Sequence, residues 1–303
     1  MNRSASHPEL TPGADGEASR REFVALSAAV SVVAATGSAR AADAQVVEKN
    51  VEIKTPDGTC DAAFIYPAKG SHPGVLVWTD IFGLRPTFRD LGKRLAMQGY
   101  AVLVPNPFYR TQKSPVIEEA DIATFSFASP EARTKIQQWT GPMNAPGAIE
   151  KDAVAYIGFL DSQHQVNKAK KIGTQGYCMG GPLVVRTAAQ VADRVGAGAS
   201  FHGGGLVTDK PDSPHLLAPK IKAHMYFAIA ASDDARQPDA KDKLREAFEM
   251  AHNPADVEVY QGAQHGWCVP DMPKQPDGKP IYDKADAERA WSKLIVLYQS
   301  ALA

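Results

Sequence analysis

Residues 171–181 read KIGTQGYCMGG, and at their centre lies the pattern Gly176-x-Cys178-x-Gly180. Glycines two positions before and after a central residue permit a sharp turn between a strand and a helix, because side chains there would collide as the turn tightens. The central residue of such a turn projects alone toward solvent. The pattern therefore predicts an accessible Cys178 thiol at the end of a strand.

The flanking residues favour the same interpretation. Residues 171–175 predict a short strand, and Leu183 to Gln190 predict a helix with Pro182 in its first turn, where the missing N–H has no cost. The positive end of that helix's macrodipole favours a thiolate, which is a good nucleophile. The alternative is a buried cysteine that only packs in a glycine-rich turn.

Two acidic residues and a histidine follow the thiol along the chain, each after an apolar run of strand length. His224 to Ala231 leads to Asp233 and Asp234, and a short strand ending at Tyr260 leads to His265. The carboxyl ends of strands form the edge where open α/β sheets bind ligands. The order nucleophile, acid, histidine is that of α/β-hydrolase triads, so the sequence predicts a Cys-His-Asp triad.

From about Val51 to the C-terminus the chain resembles the dienelactone hydrolase family of α/β-hydrolases. Besides the cysteine turn, four features carry the resemblance: Gly58, FIYPA at residues 64–68, DIFG at residues 80–83 and FYR at residues 108–110. The resemblance implies an α/β-hydrolase fold, in which helices cover both faces of a mostly parallel central sheet.

The resemblance also implies roles for the triad residues. Cys178 is the expected nucleophile, His265 the general base, and Asp234 the carboxylate that orients the base. Asp234 is preferred because the family pattern places a proline four residues after the acid, and Pro238 fits. The adjacent Asp233 stays open as the alternative.

The expected oxyanion hole consists of the backbone N–H groups of Ile81 and Met179. Five further side chains are expected to support the site or line the substrate pocket: Asp80, Tyr109, Arg110, His202 and Trp267.

Two positions depart from the family pattern. Asp80 stands where the family has a glutamate, and its side chain is one methylene shorter, which leaves its contact with the thiol open. Val269 stands where an arginine that binds the substrate carboxylate is expected, and an apolar side chain cannot replace a guanidinium. Arg110 or Arg133 is an alternative source of positive charge. We therefore expect the reaction class to be kept and a weak preference for anionic dienelactone.

The N-terminal residues predict export. SRREFV at residues 19–24 matches a twin-arginine export sequence, an apolar stretch from Ala25 to Thr36 follows, and Ala-Arg-Ala at residues 39–41 fits a cleavage site. The apolar stretch is too short for a bilayer core of about 30 Å, so residues 1–41 are predicted to be a cleaved twin-arginine signal peptide rather than an anchor. The export machinery is then a partner, and the protein is expected in the bacterial periplasm or outside the cell.

Residues 42–303 are predicted to form one dienelactone-hydrolase-like domain in which strands alternate with helices. The hydrophobic content of the whole chain, 44%, is ordinary for a soluble protein, and its formal net charge of -1 gives no basic surface for nucleic acid. A monomer without cofactor, metal or membrane contact after signal cleavage is expected.

Residues 141–147 and 270–280 are expected to be loops. Helices are predicted at residues 86–98, 149–160, 241–251 and 285–301.

The chain has three cysteines, and an exported protein meets an oxidising compartment. A disulfide between Cys60 and Cys268 is open, although the unpaired state is favoured because disulfide geometry is strict. A zinc site at His265 and Cys268 is not favoured, since no CxxC or matching histidine pair completes it.

These observations together predict a hydrolase that cleaves small esters or lactones through a Cys-His-Asp triad and a thioester intermediate. The alternative from another class is an exported protein of the same fold that binds a small ligand without turnover.

Overall fold

The computed structural model of the protein describes residue 1 and residues 45–303. The signal peptide predicted for residues 1–41 lies, apart from Met1, outside the described residues. The chain divides into two units, and the description below concerns the second, Ala44–Ala303.

Within the described residues, eight strands form one sheet in the order β1-β2-β4-β3-β5-β6-β7-β8. The β1–β2 and β2–β4 pairs are antiparallel, and every other neighbouring pair is parallel. This confirms the α/β-hydrolase fold expected from the sequence. The strands are β1 Val46–Thr55, β2 Gly58–Pro67, β3 Gly74–Trp78, β4 Ala101–Pro105, β5 Ile172–Tyr177, β6 Val195–Phe201, β7 His224–Ala230 and β8 Ala255–Tyr260.

Helices cover both faces of the sheet. The helices are α1 Pro86–Met97, α2 Glu119–Ile122, α3 Pro130–Met143, α4 Ala148–Ser162, α5 Gly180–Gln190, α6 Ala231–Arg236, α7 Ala240–Met250 and α8 Lys284–Ala301, with a 3-10 helix at Pro214–Lys220. Helices α4, α5 and α7 pack on one face, and α1 and α8 pack on the other. Among residues 45–303, no helix combines the length and apolar composition needed to cross a bilayer.

Strand β2 illustrates how the core is built. Phe64 and Tyr66 point to one face of the sheet and Ala63 and Ile65 to the other, and all four side chains are buried. A sheet that is covered on both faces needs apolar residues at consecutive positions, because side chains alternate between the faces.

The region between β4 and α4 contains structure that the sequence pattern did not predict. Residues 141–143 belong to α3 rather than to a loop, although Pro142 lies inside the helix. Proline removes the hydrogen bond to the carbonyl four residues earlier, and here the Gln138 carbonyl accepts one from the Thr111 hydroxyl at 3.1 Å instead. The Gln138 carbonyl thus keeps a hydrogen-bond donor although the proline has none to offer.

The parallel strands set the position of the chemistry. The carboxyl ends of β3, β5, β6, β7 and β8 meet at one edge of the sheet, because these neighbouring strands run in the same direction. The residues that follow these strands are Asp80–Ile81, Cys178, His202, Asp233 and His265.

Candidate active site

Cys178 lies in the sharp turn between β5 and α5. Its φ of 52° is in the left-handed region that side chains other than glycine rarely adopt. A Cβ on Gly176 would lie 2.2 Å from the Gly180 carbonyl oxygen, and one on Gly180 would lie 2.6 Å from the carbonyl oxygens of Trp78 and Thr79. Both glycines of the pattern are therefore sterically required, and the turn packs directly against the end of β3.

The imidazole of His265 is held from two sides. Its Nδ1 lies 2.8 Å from Oδ2 of Asp233, and the ring also lies close enough to the Cys178 thiol for that group to raise the imidazole pKa. The His265 backbone N–H donates to the Ser232 hydroxyl at 2.9 Å, which fixes the loop after β8 against the start of α6. The thiol, the imidazole and one carboxylate thus form a continuous chain of contacts.

These contacts decide the protonation of His265. Burial lowers the pKa of the imidazole, but the interactions with Asp233 and Cys178 raise it to about 10. The imidazole therefore carries a proton at neutral pH.

The expected contact between Asp234 and His265 is wrong. Asp234 Oδ1 accepts a hydrogen bond from Lys241 Nζ at 2.6 Å, whereas Asp233 binds His265 with one oxygen and Arg236 Nη2 with the other at 3.0 Å. Both acids lie in the six-residue helix α6, where consecutive side chains point in directions about 100° apart. Only one of two neighbouring residues can face the histidine, and it is the alternative, Asp233.

The two expected oxyanion donors come from segments in contact. Gly180 packs on the carbonyls of Trp78 and Thr79, which brings the N-terminus of α5 beside the segment that contains Ile81. Within the described residues, neither the Ile81 N–H nor the Met179 N–H donates to a protein acceptor. Both groups are free to bind an oxygen atom of a substrate.

Asp80 does not act as a free carboxylate beside the thiol. It is fully buried, and its two oxygens accept hydrogen bonds from Arg85 Nη1 at 2.6 Å and Nη2 at 2.8 Å. Arg85 also binds both oxygens of Asp271 and the Gly83 carbonyl. These contacts use all five N–H donors of the guanidinium. The group ties the oxyanion segment after β3 to the loop that follows His265.

Tyr109 and Arg110 are committed to contacts with other side chains of the protein. The Tyr109 hydroxyl bonds Thr55 at 2.7 Å and Asp152 at 2.8 Å, and the Arg110 guanidinium binds Asp152 and Asp57. Thr55 and Asp57 belong to the β1–β2 hairpin, and Asp152 is a fully buried residue of α4. These contacts therefore join the hairpin to α4. A substrate would have to displace two carboxylates to reach Arg110.

His202 and Trp267 lie beneath the site rather than on an open pocket wall. The His202 side chain is fully buried, and its Nδ1 accepts a hydrogen bond from the Cys178 N–H at 3.1 Å. Trp267 is also fully buried, and its ring stacks on Tyr260 with centroids 4.4 Å apart. Trp267 therefore does not line an open pocket but packs against His202 with ring centroids 6.5 Å apart, whereas His202 touches both the cysteine turn and His265.

The other two cysteines are unpaired and lie on opposite faces of the sheet. Cys60 packs among the residues under α4, and burial raises the pKa of its thiol to about 12. Cys268 packs on the face covered by α1 and α8, and burial raises the pKa of its thiol as well. The intervening sheet prevents a disulfide between them, which leaves Cys178 as the accessible thiol.

Sequence reasoning missed an aromatic cluster next to the oxyanion segment. The Phe82 ring lies 5.1 Å from that of Phe125 and 5.7 Å from that of Phe127, and Phe127 is 47% exposed. The two outer rings come from the segment between α2 and α3, where no periodic pattern marks them. This cluster gives the region beside Ile81 an apolar surface.

Comparisons with known proteins identify the family of this chain. Residues 60–302 match the model of the dienelactone hydrolase family. A Methylorubrum extorquens protein named as a carboxymethylenebutenolidase is 27% identical over 290 residues, which cover 91% of each chain. A Synechocystis protein of the same name is 27% identical over 238 residues, which are 78% of this chain and 89% of that one.

Solved structures show the same fold at lower identity. A dienelactone hydrolase structure from Klebsiella pneumoniae aligns with a TM-score of 0.69 and 20% identity, and covers 84% of this chain and 99% of that one. A promiscuous dienelactone hydrolase-like phosphotriesterase from metagenomic libraries aligns with a TM-score of 0.68 and 21% identity, and covers 86% and 100%. The chain thus belongs to the dienelactone hydrolase family of carboxylic ester hydrolases.

Proposed function

We propose that this protein hydrolyses small, uncharged carboxylic esters or lactones, with Cys178 as the nucleophile, His265 as the general base and acid, and Asp233 as the residue that orients His265. The observation that carries the proposal is the contact of His265 with both the Cys178 thiol and the Asp233 carboxylate. The family relationship supports ester or lactone hydrolysis as the reaction class.

The reaction would start from the charged pair of a Cys178 thiolate and a protonated His265, since the raised pKa of about 10 places the thiol proton on the imidazole before the substrate binds. The thiolate then attacks the ester carbonyl carbon, and the carbonyl oxygen becomes an oxyanion bound by the N–H groups of Ile81 and Met179. Each such donor lowers the barrier by about 3 kcal/mol in well-studied hydrolases. Collapse of this intermediate breaks the ester C–O bond, and His265 gives its proton to the leaving alkoxide.

The second half regenerates the enzyme. His265, now neutral, takes a proton from a water molecule, which attacks the thioester carbonyl. The carboxylic acid leaves, and the thiolate of Cys178 is restored beside the protonated imidazole. Asp233 stabilises the imidazolium in both halves and holds the ring with Nδ1 turned away from the thiol.

The nature of the substrate follows from the charged groups near the site. All five donors of Arg85 bind Asp80, Asp271 and Gly83, and Arg236 binds Asp233 itself. Val269 is fully buried where the family pattern has a carboxylate-binding arginine. A substrate carboxylate would find no uncommitted guanidinium among these, so an uncharged ester with an apolar group suits the site better.

The test is hydrolysis of p-nitrophenyl acetate by the purified protein and by C178A. Activity should fall at least about 1,000-fold in C178A, because the covalent step is lost. The matched control is C268A, which removes a buried thiol and should keep activity. Mass spectrometry during turnover should find the acyl group on Cys178 alone.

Two results would contradict the proposal. Full activity in C178A would exclude this nucleophile. Absence of hydrolysis with every ester tried, together with reversible binding of those esters, would favour the alternative of a protein that binds a small ligand without turnover.

We also propose that the protein is exported through the twin-arginine route and works in the periplasm or outside the cell. The support is the sequence SRREFV at residues 19–24 and the small-residue cleavage site at residues 39–41. Replacement of Arg20 and Arg21 by lysine should retain the unprocessed protein in the cytoplasm. Fractionation and N-terminal sequencing check this, and unchanged export of the double variant would refute it.

A further inference from the structure

His202 makes a contact with the nucleophile turn that neither the family comparison nor the proposed triad uses. The Cys178 N–H lies between two acceptors, the Phe201 carbonyl oxygen at 3.0 Å and His202 Nδ1 at 3.1 Å. Because Nδ1 accepts this bond, the proton of the neutral ring lies on Nε2. The ring therefore helps to fix the backbone N–H at the residue that has the left-handed φ of 52°.

The same ring packs against the catalytic histidine. The centroids of His202 and His265 lie 5.0 Å apart, and the ring planes meet at 69°. Burial and the nearby His265 hold the pKa of His202 well below its ordinary value, so the ring stays neutral beside the charged imidazole. The buried Nε2 has no hydrogen-bond partner within the described residues. Hydrogen bonding at Nε2 therefore does not account for the position of the ring.

The backbone of His202 is itself held in an uncommon conformation. Its φ is 40°, and its N–H donates to the Ala228 carbonyl at 2.8 Å. A residue other than glycine in this region is strained, and such strain is concentrated at functional sites. The neighbours Gly203 and Gly181 pack so closely that the segment has little freedom to place the ring elsewhere.

We infer that His202 is a positioning residue that connects the nucleophile turn to the catalytic histidine, with one edge bonded to the Cys178 N–H and its ring packed against His265. This role rests on the proposed function of Cys178 and His265. Movement of His202 would loosen both partners at once, although His202 itself does not touch the substrate.

Two variants separate the two contacts. In H202N the side-chain oxygen takes the position of Nδ1, because the Asn Oδ1 and the His Nδ1 both lie two bonds beyond Cβ. Asparagine also tolerates a left-handed φ. This variant keeps the acceptor and loses the ring that packs on His265. H202F keeps a ring of similar size and loses the acceptor. The matched control is H224N, because His224 lies at the amino end of β7, away from the site.

Three quantities should be measured for each variant: kcat and KM with p-nitrophenyl acetate, the melting temperature, and the pKa of His265 by NMR. We expect kcat to fall about tenfold in H202N and further in H202F, with KM changed by less than about twofold. The pKa of His265 should move from about 10 toward the ordinary 6.5 in both variants and stay unchanged in H224N.

The inference is overturned if folded H202N and folded H202F both keep the wild-type kcat and the wild-type pKa of His265. It is also overturned if activity falls only in proportion to folded protein. The NMR titration needs no turnover, so it tests His202 even if C178A shows that the proposed reaction is wrong.

Discussion

Nδ1 of His265 lies 2.8 Å from Oδ2 of Asp233, while the next residue, Asp234, points to Lys241. The two acids differ by one position in the chain and by about 100° of rotation in α6. Only the first can hold the imidazole in the tautomer that the proposed reaction needs and stabilise it when it is charged.

The substitution pair D233N and D234N tests this assignment. We expect D233N to lower kcat by about 1,000- to 10,000-fold, because the amide supports the wrong tautomer and cannot stabilise the imidazolium. D234N removes only the partner of Lys241, and its kcat should stay within about threefold of wild type. Steady-state kinetics of both variants decide the matter, and a larger loss in D234N would restore Asp234 as the acid.

The raised pKa of His265 also predicts how stability depends on pH. The ordinary pKa is 6.5 and the folded value is about 10, so the folded protein binds the proton more tightly than the unfolded chain. This stabilisation is fully present below pH 6.5 and is lost as the pH rises through 10. The free energy of unfolding should therefore fall by a few kcal/mol over this interval.

Urea denaturation of wild type and H265Q at several pH values measures this contribution. The difference between the two proteins removes the effect of the other titrating groups. A difference that stays constant from pH 6.5 to pH 10 would show that His265 is not linked to Asp233 and Cys178 as described.

The sequence predicted the features that depend on local pattern. The Gly176-Cys178-Gly180 spacing predicted the turn. A side chain on Gly176 would collide with a carbonyl oxygen of the turn, and one on Gly180 would collide with carbonyl oxygens at the end of β3. Alternation of apolar runs with amphipathic helices predicted the sheet, and helices predicted at residues 86–98 and 285–301 end within one residue of Pro86–Met97 and Lys284–Ala301.

What the sequence did not predict depends on contacts between distant segments. The choice between Asp233 and Asp234 is set by the rotation of a six-residue helix, which is too short for a hydrophobic period to mark. Arg85 forms ion pairs with Asp80, five positions away, and with Asp271, 186 positions away. The contact with the distant Asp271 has no local sequence signal, so Asp80 resembled a free active-site group.

Arg85 should contribute strongly to stability because its charge neutralises buried Asp80. Its side chain is 1% exposed and that of Asp80 is fully buried. Breaking a buried pair by removal of one partner leaves an uncompensated charge and typically lowers the free energy of unfolding by about 3–5 kcal/mol. We expect R85M to show a loss of this size, together with reduced kcat, since the oxyanion segment loses its link to the loop after His265.

The matched control is K222M, which breaks the exposed pair of Lys222 with Asp193. The side chains of that pair are 69% and 88% exposed, and such pairs contribute about 0–1 kcal/mol. Chemical denaturation of both variants gives the comparison. Equal losses in R85M and K222M would mean that the buried pair is not the link between the two loops.

The charge of the substrate should affect how fast it is hydrolysed. Because Arg85 is neutralised by two carboxylates, its cluster with Asp80 and Asp271 has one excess negative charge, and the exposed ring of Phe127 extends an apolar surface beside Ile81. We expect kcat/KM to be at least about tenfold higher for an uncharged aryl ester than for an otherwise similar ester that carries a carboxylate. F127A should raise KM for the aryl ester several-fold and leave kcat nearly unchanged, because it removes binding surface and no reacting group. Competition kinetics with the two esters check both statements, and a clear preference for the anionic ester would show that a cationic side chain becomes available to the substrate.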